Sequence, residues 1–424
     1  MTEQDQKNYT LPIIMMILLF GMISFVTNLA APMGVVVKGQ FNVSNFMGML
    51  GNFGNFIAYA IMGVPAGLML KKIGYKNTAL IAILIGFTGI LVQYLSGLLG
   101  SFPVYFLGAF ICGFSMCTLN TVVNPMLNTL GGGGKKGNQL IQIGGTFNSL
   151  MATLVPILVG ILVGQVTRNT AITDVNPVLF IAMGIFATVG IVLFFVNIPE
   201  PPTNKNKHEK FEHTPWAFRH FSLGVIAIFV YVGIECGVPG TLNLFLTDPN
   251  GFGGPANQAG FVVGTFWFLM IIGRFAGASL GAKITSRAML ITTSILGLIL
   301  VFGAILMPTT TLVDMPVFKS DFSFGLAQVP INAMFLVLVG ICTSIMWGSI
   351  FNLAVEGLGK YTEPATGIFM MMVCGGGILP LLQNFIADHY GFMPSYWVII
   401  VALAYLLFYA VSGCKNVNKD ISVD

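Results

Sequence analysis

Charge is what this chain has least of. Only 8% of its 424 residues are Asp, Glu, Lys or Arg, against about 25% in soluble domains. That scarcity excludes an ordinary water-soluble fold. With 55% hydrophobic residues and a mean hydropathy of +0.86, the chain reads as a polytopic membrane protein. Histidine is also scarce: there are four, and His208, His213 and His220 crowd one polar loop. The six cysteines (Cys112, Cys117, Cys236, Cys342, Cys374, Cys414) lie in or beside apolar runs, and no pair has CxxC spacing. They read as inert buried thiols, and no metal or organic cofactor is expected. No Ser-His-Asp or paired-carboxylate set can be placed in one compartment, which argues against an enzyme. The net charge of +4 is scattered over short loops, so no nucleic-acid partner is expected. Met1–Thr10 is polar and no small-residue cleavage site follows, so no removable signal peptide is expected.

What is present is a series of long apolar runs. A spanning helix needs about 20 apolar residues, and the sequence divides into twelve such spans. They are Pro12–Val37, Phe46–Met69, Ala79–Leu95, Val104–Leu127, Leu140–Val166, Val178–Val196, Phe221–Phe245, Gln258–Ala282, Met289–Met307, Ala327–Val355, Ala365–Ala387 and Ser395–Val411. All are too long for barrel strands of ~9–11 residues. With the N-terminus inside, only Lys38, Arg168 and Lys319 among the basic residues fall in outer loops. The positive-inside rule then puts both termini in the cytoplasm.

The most charged loop, Pro199–His220, divides the chain into a first six-helix bundle (1–197), a cytoplasmic linker (198–220) and a second bundle (221–424). The halves echo each other. Gly63-x-x-Ala66-Gly67 in span two recurs as Gly273-x-x-Ala276-Gly277 in span eight. Asn124…Leu130-Gly131 recurs as Asn352…Leu358-Gly359. The expected fold is an all-α membrane protein of twelve transmembrane helices in two pseudo-symmetric six-helix bundles. Parallel repeats with a substrate site near the midplane are a transporter architecture.

Glu235 is the one formally charged residue near the middle of a long apolar run. A carboxylate there costs several kcal/mol, roughly 2.5–3.5 even on insertion scales, so it marks a functional path or a structural hydrogen bond. Polar residues also recur within the spans: Asn28; Asn120 and Asn124; Gln142, Thr146 and Asn148; Tyr231 and Asn243; Trp267; Trp347 and Asn352. Amides supply both donors and acceptors, and aromatic faces stack on the C–H face of a ring, so the set suits a neutral polyhydroxylated ligand. The competing reading is that amides glue helices together at about 0.6–2 kcal/mol each. Asn128, Gln383 and Asn384 lean to that reading. Gly131-Gly132-Gly133-Gly134-Lys135-Lys136-Gly137 lacks the Ser/Thr of a phosphate loop and joins two spans, so it reads as a cytoplasmic turn.

These motifs resemble the major facilitator superfamily and, within it, the fucose–galactose–glucose symporter family of bacterial sugar transporters. The resemblance covers essentially the whole chain. Its first half carries Phe41-x-x-Ser44-Asn45-Phe46, Pro65-Ala66-Gly67-x-x-x-Lys71-Lys72-x-Gly74-Tyr75-Lys76, Asn124-Pro125 and Thr146-Phe147-Asn148-Ser149. Its second half carries Tyr231-Val232-Gly233, Gly273-Arg274-Phe275-x-Gly277, Ile350-Phe351 and Gly375-Gly376-Gly377-Ile378. Three places depart from the family pattern. An Asn-Leu-Asn-Asp stretch is here Asn28-Leu29-Ala30-Ala31, a span-four glutamate is here Asn120, and a span-five glutamine is here Gly145. The two first-half carboxylates of proton-coupled members are therefore missing.

The resemblance implies alternating access in a bacterial inner (plasma) membrane, with a small-molecule sugar and membrane lipid as partners and a monomeric chain. Asn28, Asn120, Asn124, Gln142, Thr146 and Asn148 would bind sugar from the first half. Tyr231, Glu235, Asn243, Trp267, Trp347 and Asn352 would offer the second wall. Lys71, Lys72 and Arg274, the last at its membrane edge, would be cytoplasmic gating or interface residues. Import of a hexose such as glucose, galactose, mannose or fucose by proton or sodium symport is expected, with Glu235 as the coupling group. A uniporter, a drug or metabolite exporter of the same superfamily, and a receptor on a transporter scaffold are the alternatives.

Overall fold

A computed structural model describes residues 9–41, 45–163, 171–199, 213–281, 283–319, 323–418 and 421–422. The basic residues Lys205, Lys207 and Lys210 of the linker, and Arg168, lie outside them. Fourteen α-helices are present among the described residues. They are α1 (Thr10–Phe41), α2 (Asn45–Leu99), α3 (Phe102–Leu130), α4 (Gly134–Val163), α5 (Asn176–Phe195), α6 (Arg219–Thr247), α7 (Ala256–Leu280), α8 (Ser286–Leu306), α9 (Ile331–Thr343), α10 (Met346–Val355), α11 (Thr362–Met371), α12 (Gly375–Tyr390), α13 (Phe392–Ser395) and α14 (Trp397–Phe408). Ten helical stretches among the described residues are long and apolar enough to cross a membrane. With no water in hydrocarbon, a spanning backbone must satisfy its own hydrogen bonds, which helices do.

Contacts divide the chain into two units. One comprises residues up to Lys210 together with Lys360–Met370; the other comprises Phe211–Gly359 and Met371–Val423. In the first unit α2 runs for 55 residues and breaks at Gly74, whose φ of 81° and ψ of 175° are non-helical. Only glycine takes that φ without strain, so the position separates the two arms of the helix. Close approach elsewhere in this unit also depends on glycine. A Cβ at Gly67 of α2 would lie 2.9 Å from the Cα of Gly367 in α11, so these two helices meet backbone to backbone.

The second unit is built from interrupted helices. The tenth span breaks between α9 and α10 at Ser344 and Ile345. Where the chain re-enters this unit at Met371, a 3-10 turn, Met372–Cys374, precedes α12. Pro239 sits inside α6 and Pro380 inside α12. Each proline removes one i→i−4 bond and clashes with the preceding turn, so these helices cannot be straight rods.

One expectation needs correcting. Residues 327–330, expected as the start of the tenth span, belong to a β-hairpin, so the chain is not wholly α. Strands β1 (Leu312–Phe318) and β2 (Phe324–Pro330) pair antiparallel, with Met315 opposite Ala327. Alternation explains it: Met315, Val317, Ala327 and Val329 are buried while Asp314, Pro316, Leu326 and Gln328 are exposed. The hairpin is tied to α7. Thr265 Oγ1 accepts from the Phe318 N–H at 2.9 Å, Gln258 Nε2 donates to the Gln328 carbonyl at 2.7 Å, and Phe268 stacks on Phe318 at 4.4 Å.

Gly375 tests the glycine contacts of the second unit. A Cβ there would overlap the Phe229 carbonyl oxygen of α6, whereas a Cβ at Gly184 of α5 meets nothing within 4 Å. Alanine favours helix over glycine by about 1 kcal/mol, and overpacking costs about 1–3 kcal/mol. Gly375→Ala is expected to lower the melting temperature of the detergent-solubilised protein, and Gly184→Ala to leave it level or higher.

Candidate functional site

Glu235 lies in α6, two turns after Ala227 and Ile228, which have no exposed surface. Its Oε1 sits 2.9 Å from Nη2 of Arg274 in α7, and the two side chains are 16% and 10% exposed. Taking either charge out of water alone is expensive, and a well-made pair offsets the cost. Arg274 also donates through Nε to the Ser344 carbonyl at 3.3 Å. That carbonyl belongs to the break between α9 and α10, where the regular helical ladder is interrupted. One guanidinium therefore links the carboxylate of α6 to the interrupted tenth span.

Aromatic rings border the pair. Tyr231, one turn before Glu235, is fully buried, and its hydroxyl has no hydrogen-bond partner among the described residues. Its ring meets Trp347 edge-on, with centroids 6.2 Å apart. Trp347 follows the same helix break by two residues. Pro239 has no N–H to donate to the Glu235 carbonyl four residues earlier, so the backbone here is polar as well as the side chain. Tyr231, Glu235, Arg274, Ser344 and Trp347 form one cluster within the second unit.

Arg274, expected at the cytoplasmic edge of its span, lies within α7, six residues before the helix ends at Leu280, or about 9 Å of helix rise, and its guanidinium faces Glu235. Other second-unit expectations divide. Asn352 donates its amide to Ser286 Oγ at 2.9 Å and so ties α10 to α8. That bond points its amide donor at α8 and away from the charged cluster. Asn243 is exposed near the end of α6, and Trp267 is 37% exposed with its ring edge-on to Phe266. Neither joins the charged pair.

In the first unit, Asn120 of α3 donates through Nδ2 to the Tyr59 hydroxyl of α2 at 2.7 Å. Asn124 donates to the Asn120 carbonyl at 2.8 Å and reaches Asn120 Oδ1 at 3.5 Å. Asn28 donates to the Ser24 carbonyl at 2.9 Å, and the Thr146 hydroxyl to the Gln142 carbonyl at 2.9 Å. Asn148 donates to the Phe20 carbonyl at 3.1 Å, joining α4 to α1. Gln142 is buried, Lys71 half-buried and Lys72 exposed. Several amides thus spend a donor on backbone. Tyr59 was missed by sequence reasoning. A single tyrosine in an apolar span has no signal until its partner on another helix is known.

Apolar spanning helices, helix breaks and a buried ion pair together define a polytopic helical membrane protein built to hold polar groups in its interior. The sequence profile of the Major Facilitator Superfamily matches residues 13–379. The chain is 31% identical to the glucose/galactose transporter of Brucella abortus, over 97% of this chain and 96% of that one. It is 21% identical to the L-fucose-proton symporter of Escherichia coli, over 92% and 90%. The fold matches the crystal structure of the transporter FucP in the outward conformation with a TM-score of 0.80, at 20% identity over 95% and 98% of the two chains. The chain belongs to the major facilitator superfamily, in its fucose–galactose–glucose symporter family.

Proposed function

We propose that this protein imports a neutral hexose, such as glucose, galactose, mannose or fucose, by alternating access and cation symport. The observation that carries the reading is the Glu235–Arg274 pair, with Tyr231 and Trp347 beside it. As a pair it is electrically neutral, so it neither attracts an ionic substrate nor repels a sugar. The amides of α1, α3 and α4 are neutral as well. The names of the relatives, glucose/galactose transporter and L-fucose-proton symporter, agree in substrate class. The reading includes twelve spans in an inner membrane with both termini cytoplasmic, which counts the two arms of α2 separately and adds the 30-residue α4.

The pair also supplies a coupling logic. A proton or sodium ion taken by Glu235 frees Arg274, and a guanidinium left unpaired in a buried site is strongly unfavourable. A sugar hydroxyl accepting from Arg274 offsets that loss. Each ligand thus makes room for the other, and neither binds well alone. One charge crossing the membrane yields about 2.3 kcal/mol per 100 mV, worth a roughly forty-fold gradient at ~1.4 kcal/mol per decade.

The test is uptake into proteoliposomes with a hexose panel, under imposed sodium or proton gradients. Accumulation of one hexose well above equilibrium under one of the two gradients is expected, and it should collapse with the matching ionophore. Uptake that only equilibrates under both gradients makes the protein a uniporter. No movement of any hexose ends the sugar reading.

A further inference from the structure

Tyr59 sits at the end of a hydrogen-bond chain whose direction can be worked out. Asn and Gln amides can be flipped without changing their shape, so the chain must be fixed from a group with one possible role. That group is the Asn120 backbone carbonyl, which only accepts. Asn124 lies 2.8 Å from it and must therefore present its NH2 there. The same NH2 faces the Asn120 side chain at 3.5 Å, so Asn120 presents its oxygen on that side. The Asn120 NH2 then points to Tyr59 at 2.7 Å. The Tyr59 oxygen is the acceptor in that bond, and its own proton is directed elsewhere.

No acceptor for that proton is found among the described residues. All three residues are buried: Asn124 has no exposed surface, and Asn120 and Tyr59 each keep 7%. A phenolic O–H whose acceptor role is already filled is a fixed donor, with an aromatic face beside it.

We propose that Tyr59 is a substrate-reading residue that donates to one hydroxyl oxygen of the sugar. This rests on the sugar-transport reading above and deepens it. Asn120 sets the polarity of the tyrosine, and Asn124 sets the orientation of Asn120. Asn124 is then a positioning residue and not a ligand contact. A site built to hydrogen-bond a substrate hydroxyl discriminates against the analogue lacking it, because its own donor is left unpaired.

The experiment is counterflow in proteoliposomes with the transported hexose and its monodeoxy analogues, for the unsubstituted protein and Tyr59→Phe. In the unsubstituted protein, loss of one particular hydroxyl is expected to weaken apparent affinity about tenfold, or ~1.4 kcal/mol. Tyr59→Phe is expected to weaken the parent sugar by the same factor and to show no further loss for that one analogue. The other analogues should lose equal factors in both proteins. Equal losses for every analogue in both proteins would overturn the assignment while leaving sugar transport standing. No hexose counterflow by the unsubstituted protein overturns both. If Tyr59→Phe fails to reach the membrane, Asn124→Leu replaces it. Asn120 is then free to turn, and the discrimination at that same hydroxyl is expected to shrink; full discrimination in Asn124→Leu would sink the proposal.

Discussion

Arg274→Leu is expected to damage this protein more than removing both charges together. The substitution leaves the Glu235 carboxylate beside Ile234 and Tyr231, neither of which has any exposed surface. It also deprives the Ser344 carbonyl of its donor at the break between α9 and α10. Breaking a buried pair by deleting one partner costs about 3–5 kcal/mol, because the remaining charge is uncompensated. The double variant Glu235→Leu/Arg274→Leu has no such charge, and apolar replacement of a buried pair is often near neutral. The double-mutant cycle should therefore show strong coupling between the two sites. Thermal unfolding of the detergent-solubilised protein is the measurement. Arg274→Leu should melt well below the parent and the double variant should recover most of the loss. Equal melting of the single and double variants would mean that the 2.9 Å contact contributes little. Neither variant is expected to accumulate sugar.

The same pair shows where sequence reasoning reaches and where it stops. Glu235 is conspicuous because an acid within an apolar run has a known cost in lipid. Arg274 is 39 positions away along the chain, and nothing in spacing says that α7 brings it to α6. Near the end of an apolar run, an arginine reads as an interface residue that snorkels to water. The apolar spans themselves are legible, because backbone satisfaction in hydrocarbon leaves few alternatives. Their interruptions are less so. Gly74 is one glycine among 51, and what distinguishes it, a φ of 81° inside a long helix, is visible only in the fold.

The hairpin is a clearer lesson. Within Leu312–Phe318 and within Phe324–Pro330, buried and exposed positions alternate with a period near two, which is a strand signal. Ala327–Pro330 runs directly into the apolar α9, so a hydropathy reading absorbs it into the tenth span. Among the candidate site residues, chemistry was legible and partnership was not. The sequence shows that Asn120 and Asn124 share a helix face. It does not show that Tyr59 receives the Asn120 donor, since that depends on how α2 packs on α3.

Glu235→Gln is expected to abolish accumulation while sparing exchange. Glutamine keeps the shape of the side chain and an oxygen that can still accept from Arg274 at the same distance. The packing of Tyr231 against Trp347 should therefore keep its geometry, while the unbalanced Arg274 is expected to lower the melting temperature. What disappears is the negative charge that a proton or sodium ion must meet. Without it, no cation travels with the sugar, and the membrane potential has no handle on net transport. An accumulation ratio of roughly forty-fold per 100 mV should fall to unity, while counterflow of labelled hexose should persist within about a factor of three. The dependence of exchange on pH and sodium should disappear with it. The site also gains a net positive charge, because Arg274 is no longer balanced, which makes cation entry less favourable still. Intact accumulation in Glu235→Gln would move the coupling group elsewhere in the chain. Loss of both accumulation and counterflow would make Glu235 a sugar ligand first and a coupling group second.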